Sequence, residues 1–236
     1  MDRPHTTVVL AMSADGKIAD VARSAAGFSS SIDRAHLERQ VGIADAVLFG
    51  AGTLRAHGSA MSIRNSDLIS RRREQQKPDQ PIQIVCTRSG IIPSDIRFFQ
   101  QKIPRWLLTT EKGATSWQNY PQNGFDKIMT PENSEGEIDW QEALKALKHK
   151  GIEHLAVLGG GELIADLFER QLLDELWLTV CPILLGGKNS PNPIEGSGLS
   201  LENAQKLKLL SVENIEQEVF LHYQISYWSS FSYPTA

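Results

Sequence analysis

The sequence predicts an α/β fold whose mostly parallel sheet ends in an antiparallel hairpin, and three observations predict it. Thr7 to Ser13, Ala46 to Phe49, Ile82 to Cys86 and His154 to Leu158 are apolar runs rich in β-branched residues, without polar alternation. Such runs are strands buried on both faces. Helical patterns lie between the runs, and helices are the usual crossovers between parallel neighbours. Finally, Val219, Leu221, Tyr223, Ile225 and Tyr227 alternate with polar residues, and Leu207 to Val212 precede them across a polar turn. That alternation reads as an antiparallel hairpin at a sheet edge.

The elements follow in order. The first strand, Thr7 to Ser13, is broken by Ala14-Asp15-Gly16-Lys17. Ser30 can cap a helix with Asp33 three residues on, and Leu37, Val41 and Ala44 share one helical face. The second strand runs into Gly50-Ala51-Gly52-Thr53-Leu54, a glycine turn leading into a short helix. Residues 57–80 are polar and rich in Ser, Arg and Gln, which predicts a long surface excursion with Arg71-Arg72-Arg73 solvated. Strands restart at Ile82 to Cys86, Pro104 to Thr109 and, more weakly, Phe125 to Met129. Asp139 and Glu142 form a capping box ahead of Trp140, Ala143, Leu144 and Leu147, and Gly151 stops that helix. A strand to Leu158, a triple-glycine turn, a helix to Gln171 and a strand from Leu176 to Val180 complete the alternation.

Composition narrows the function. A chain of 236 residues with 41% hydrophobic content can bury one large core, and no Pro/Gly-rich linker divides it, so one domain over 1–236 is expected. Net charge is −4, which provides no global basic field for nucleic acid. Cys86 and Cys181 each sit in or beside an apolar run, as buried small hydrophobes do, and no zinc-ligand spacing occurs. The N-terminus lacks an apolar signal core, and no run approaches the ~20 residues of a membrane span. A cytoplasmic protein with no membrane or nucleic-acid partner and no metal is expected.

Chemistry is expected outside the carboxyl ends of the strands, where ligands of open α/β sheets bind. Val157-Leu158-Gly159-Gly160-Gly161-Glu162 reads as strand, side-chain-free turn and helix start, which lets backbone N–H groups approach a phosphate. Gly50-Ala51-Gly52-Thr53 repeats the design, and two such corners suit the two phosphates of a dinucleotide. Thr53 either donates its hydroxyl to a phosphate or caps its own helix. Asp15 and Lys17, beside the first strand's end, can orient a substrate or move a proton. Thr87-Arg88-Ser89 offers a guanidinium and hydroxyls suited to the 2′-phosphate of NADP. Arg64 is a candidate anchor for a substrate phosphate, and His57 reads as an exposed loop residue. With no nucleophile elbow or metal cluster in the pattern, hydride transfer is the natural chemistry.

The motifs resemble one family. Met12-Ser13-Ala14-Asp15-Gly16-Lys17-Ile18-Ala19 is similar to the S-x-D-G-K/R-I/T-A opening of the riboflavin-biosynthesis pyrimidine reductases. Asp45 through Leu54 resembles their D-A-I-L-V-G-x-G-T-V. Val157 through Gly161, Leu173-Asp174-Glu175-Leu176 and Pro182 through Gly187 resemble E-G-G-G, V-D-E-L and P-x-L-L-G-G in the same order. The likeness covers residues 6 to about 226.

It implies a dihydrofolate-reductase-like, three-layer α/β/α fold, NADPH as cofactor and a homodimer. The implied activity reduces 5-amino-6-(5-phosphoribosylamino)uracil to its ribitylamino product. By the resemblance Ala11, Gly50, Gly52, Thr53, Arg88 and Gly159, Gly160, Gly161 and Glu162 meet the cofactor. Met61-Ser62-Ile63-Arg64 matches L-T-V-R, so Arg64, with Ser13, meets substrate, and Asp15 and Lys17 lie at the reacting end.

The deaminase often fused to this domain is not expected here, since H-x-E and P-C-x-x-C are missing. Three positions depart from the pattern: His57-Gly58-Ser59 replaces D-D-P, Leu158 replaces a Glu, and Val41 stands where an Arg is expected, with Arg39 nearby. Two other readings stay open, a reductase of another pyrimidine or pterin-like substrate and a non-catalytic dinucleotide-binding paralogue. The aromatic tail, Trp228 to Tyr233, could cover a partner or the chain's own edge.

Overall fold

The computed structural model describes residues 2–25, 27–118 and 124–227; the aromatic tail lies outside them. In chain order the elements are β1 (His5–Ser13), α1 (Ser31–Ile43), β2 (Ala46–Gly50), α2 (Ala51–His57) and α3 (Ser66–Glu74). Next come β3 (Ile82–Cys86), β4 (Arg105–Leu108), α4 (Glu111–Ala114), β5 (Lys127–Met129) and α5 (Trp140–His149). The chain ends with β6 (His154–Val157), α6 (Gly161–Glu169), β7 (Glu175–Cys181), β8 (Lys206–Ile215) and β9 (Glu218–Ser226). The strands form one sheet in the order β5-β4-β3-β2-β6-β1-β7-β9-β8. Strands β1 to β7 are parallel, while β9 pairs antiparallel with both β7 and β8.

Strand residues alternate between two cores. Val8, Leu48, Ile84 and Val157 pack under Leu144 and Leu147 of α5 and Ile164 and Leu167 of α6. Val47, Phe49, Val85 and Leu107 face the other way, against Val41 of α1, Leu54 of α2 and Phe98. Helices thus cover both sheet faces, giving the three layers. The period-two pattern of a two-sided core is why these strands read as unbroken apolar runs.

The stretch 57–80 is a largely exposed excursion, as its polarity predicts, but it carries α3, and the middle arginine of its basic run is buried rather than solvated. Asn65 caps α3, its Oδ1 accepting from the Asp67 and Leu68 amides. Arg72 is only 2% exposed. It donates to the Gly42 and Ala44 carbonyls at the end of α1 (3.0 and 2.6 Å) and to the Pro78 carbonyl (2.7 Å). A buried cation there satisfies orphan carbonyls at a helix C-terminus, so the middle arginine of the run is structural.

The hairpin carries an apolar face without a cover among the described residues. Leu207, Leu209 and Val212 lie opposite Ile225, Tyr223 and Leu221, and Leu209 and Val212 are 50% and 53% exposed.

Candidate active site

Because β1, β2, β3, β4, β6 and β7 run parallel, Ser13, Gly50, Cys86, Leu108, Val157 and Cys181 all end at one rim. The two glycine corners meet there. The Gly50 amide donates to the Gly159 carbonyl at 2.8 Å. Gly159 has φ +100°, a conformation that favours glycine. A Cβ on Gly50 would lie 3.6 Å from the Gly160 nitrogen, and one on Gly160 would lie 3.5 Å from Thr53 Oγ1.

Gly50 and Gly160 are also the N-caps of α2 and α6, and neither provides a side-chain bond. The first-turn N–H groups of both helices therefore lack side-chain caps at one spot. Gly50 occupies the N-cap position, so Thr53 does not cap α2. The Thr53 hydroxyl makes no hydrogen bond among the described residues.

Gly161 differs from its neighbours. A Cβ there would strike the Asn192 carbonyl oxygen at 2.5 Å and Glu195 Cγ at 2.9 Å. Its carbonyl accepts from the Glu195 amide at 3.2 Å. The third glycine thus admits the 190–196 loop onto α6. Glu162, Asn192, Glu195 and Ser197 line the open pocket of about 560 Å³ beside it.

Asp15 and Lys17 are both tied to this loop region. Asp15 Oδ1 accepts from Ser13 Oγ (2.6 Å) and the Leu185 amide (3.0 Å), and Oδ2 accepts from the Gly186 amide (2.6 Å). The Ser13 hydroxyl and the two amides hold its carboxyl at about 2. Lys17 Nζ donates to the Ser190 carbonyl and to Asn192 Oδ1, each at 3.1 Å. Ser13 is fully buried and its Oγ also accepts from the Lys17 amide.

In the sheet register Ala11 is the partner of Thr179 and Ser13 the partner of Cys181. The Asp33 carboxyl, half of the expected capping box, interacts with the Thr179 and Ser29 hydroxyls. Ser30 Oγ accepts from the Ile32 and Asp33 amides, but it is Glu218 of β9 that bonds the Ser30 amide and hydroxyl, at 3.3 and 2.6 Å.

Other expected positions are placed as follows. Arg88 follows β3 at the same rim, exposed, with Nη1 on Glu137 at 2.6 and 2.9 Å. Gly52 is exposed in the first turn of α2. Arg64 is not brought to the glycine corner. It lines a pocket of about 410 Å³ with Arg97 and Lys102, next to Gln80 and Ile103, residues that precede β3 and β4. His57 ends α2, with Gly58 as its left-handed C-cap. Val41 is fully buried in the core, and Leu158 packs against the same cluster, so both departures serve packing.

A parallel sheet with two side-chain-free helix starts joined at its carboxyl rim belongs to the class of α/β domains that bind phosphorylated nucleotides there. The chain belongs to the family of the RibD C-terminal domain, whose model matches residues 4–221. It is similar to the 2,5-diamino-6-ribosylamino-4(3H)-pyrimidinone 5′-phosphate reductase of Archaeoglobus fulgidus, 27% identical over 91% of this chain and 94% of that protein. The like-named protein of Aquifex aeolicus is 25% identical over 89% and 92%. The riboflavin biosynthesis protein RibD of Actinobacillus pleuropneumoniae is 26% identical over 94% of this chain but only 57% of its own length. Among solved structures, a pyrimidine reductase-like protein of Corynebacterium diphtheriae matches with TM-score 0.81 at 18% identity, covering 94% of this chain and 92% of that one. Acinetobacter baumannii RibD matches with TM-score 0.77 at 18% identity, over 96% of this chain and 59% of that one. The chain is accordingly an oxidoreductase of riboflavin biosynthesis.

Proposed function

We propose that this protein uses NADPH to reduce the ribosylamino group of a 5′-phosphorylated aminopyrimidine to ribitylamino. The observation that carries the reading is the contact between Gly50 and Gly159–Gly160, which leaves a cradle that any Cβ would narrow. The uncapped amides of Ala51, Gly52 and Thr53 and of Gly161, Glu162 and Leu163 suit a diphosphate, with the Thr53 hydroxyl as a further donor. Ala11 offers a small side chain one strand away, where a planar ring can lie close. Arg88 supplies the guanidinium for a 2′-phosphate, with Glu137 as the competing anion. When bound, the dihydronicotinamide supplies a hydride to C1 of the opened sugar. Asp15 and Lys17 hold the 183–192 loop as a wall of the site, and the buried Ser13 hydroxyl ties the two together rather than meeting substrate itself.

The reading extends to assembly and setting. The apolar β8–β9 face pairs with a second copy, because half-exposed leucines in a row mark an interface. Leu209→Glu with Val212→Glu then gives a monomer in sedimentation, where the parent is a dimer. A cytoplasmic enzyme fits two cysteines that are both free thiols.

The deciding experiment follows NADPH consumption with the phosphoribosylamino uracil and with its 2,5-diamino counterpart. Turnover of either supports the reading. Turnover only of another pyrimidine or pterin makes it a related reductase, and NADPH binding with no turnover makes it a non-catalytic relative.

A further inference from the structure

We propose that Asp33, held beside Thr179 by the rerouted helix cap, is the residue that gives the reaction its proton. The proposal rests on the reductase reading above.

Adding hydride to a carbon–nitrogen double bond leaves the nitrogen in need of a proton. Asp15 is a poor source. It is ionised to about 2 and already accepts three hydrogen bonds.

Asp33 is the contrasting carboxyl. It is 6% exposed and lies within hydrogen-bonding reach of the Thr179 and Ser29 hydroxyls. Glu218 has taken over its capping duty, although an acid at this helix position normally reaches back to the cap itself. The titratable groups facing it are Glu218 from β9 and Cys181 from β7, with His36 one turn along α1. His36 is driven to about 4 by burial and by Arg39, and is neutral. The Cys181 thiol is pushed to about 12, chiefly by burial, and is neutral as well. No cation pairs with Asp33 among the described residues, and burial, reinforced by Glu218, raises its carboxyl above the ordinary range.

The position fits the chemistry. Thr179 neighbours Ala11 across β1 and β7. Phe220, the partner of Thr179 on β9, packs on His36 with centroids 5.1 Å apart, so this is the face that α1 covers. From β6, which carries the glycine corner, to β7 is two strand spacings, about 10 Å. A substrate held with its reacting carbon over Ala11 would therefore lie on the face that carries Thr179 and, beside it, Asp33. In the step, the hydride pair of the reduced nicotinamide dinucleotide forms the new C–H bond at C1. The π pair of the C=N bond takes the Asp33 proton to form N–H. Asp33, left as carboxylate, regains a proton from water.

The test combines kinetics with a readout on the free protein. Asp33→Asn should lower kcat by about 10²- to 10⁴-fold with the NADPH Kd unchanged, and should remove the alkaline fall of the wild-type pH–rate profile. In carboxyl-carbon NMR of unliganded wild-type, the Asp33 resonance should titrate above the ordinary aspartate range. Glu218→Gln should move that titration and the alkaline limb to lower pH, since a repelling charge is gone. An Asp33 that titrates at or below the ordinary value, or an Asp33→Asn enzyme within a few-fold of wild-type, overturns the proposal. The NMR result does so even should the variant fail to fold. If wild-type turns over neither pyrimidine, the reductase reading itself has failed, and the carboxyl titration still reports on Asp33 separately.

Discussion

The glycine corner and the Asp15 clasp share one rim but are built by opposite means. At the corner, Gly50, Gly159 and Gly160 meet through backbone alone, and both helix starts are left without side-chain caps. Just past β1, Asp15 and Lys17 spend their charges on backbone and side-chain partners of the 183–192 loop. The charged turn thus has its donors and acceptors in use, whereas the glycine corner keeps unspent amide donors, the feature an anion requires.

Filling the corner should have the largest effect. Gly160 has an ordinary φ of −79°, so Gly160→Val folds, yet its side chain enters the space shared with Thr53. NADPH affinity should drop at least about 100-fold, ~3 kcal/mol, in a fluorescence titration, with the thermal midpoint little changed. Tight binding by that variant would break the comparison.

Loosening the clasp should do less and do it elsewhere. Asp15→Asn should speed amide exchange at Leu185 and Gly186 about tenfold, the loss of roughly one hydrogen bond, and raise KM for the pyrimidine more than Kd for NADPH. The carboxyl is depressed from 3.8 to about 2, so in wild-type the clasp is complete above about pH 4 and weakens as pH falls toward 2. The variant should lack that acid-side loosening.

The smallest effect belongs to the rim's exposed arginine. Arg88→Ala should cost NADPH about tenfold in affinity and leave NADH unchanged, while Glu137→Gln should favour NADPH slightly.

Much of the fold was legible because it rests on local pattern. The strands show as two-sided apolar runs, α5 shows its capping residue Asp139 and apolar stripe, and the hairpin shows its alternation. Helix α3 was hidden because its residues are mostly polar and its anchor, Arg72, looks like a surface charge until the end of α1 is placed beside it. Asn65 was the local signal that could have found it. Within the candidate site, the glycine corners were readable from turn chemistry, but the third glycine was not. Gly161 answers to Asn192 and Glu195, some thirty residues on. Asp33 reads as a helix cap from its spacing, and only Glu218, 185 residues further along, frees it. Contacts that far apart along the chain leave no periodic trace.

The most direct measurement is a titration of isotope-labelled protein with NADPH, following backbone amide shifts. The largest changes should fall at Ala51 to Thr53 and Gly159 to Leu163, and should vanish in Gly160→Val. Binding that leaves those amides still, or that moves only amides far from the rim, would contradict the claim that bare backbone at the joined corners holds the reduced nucleotide.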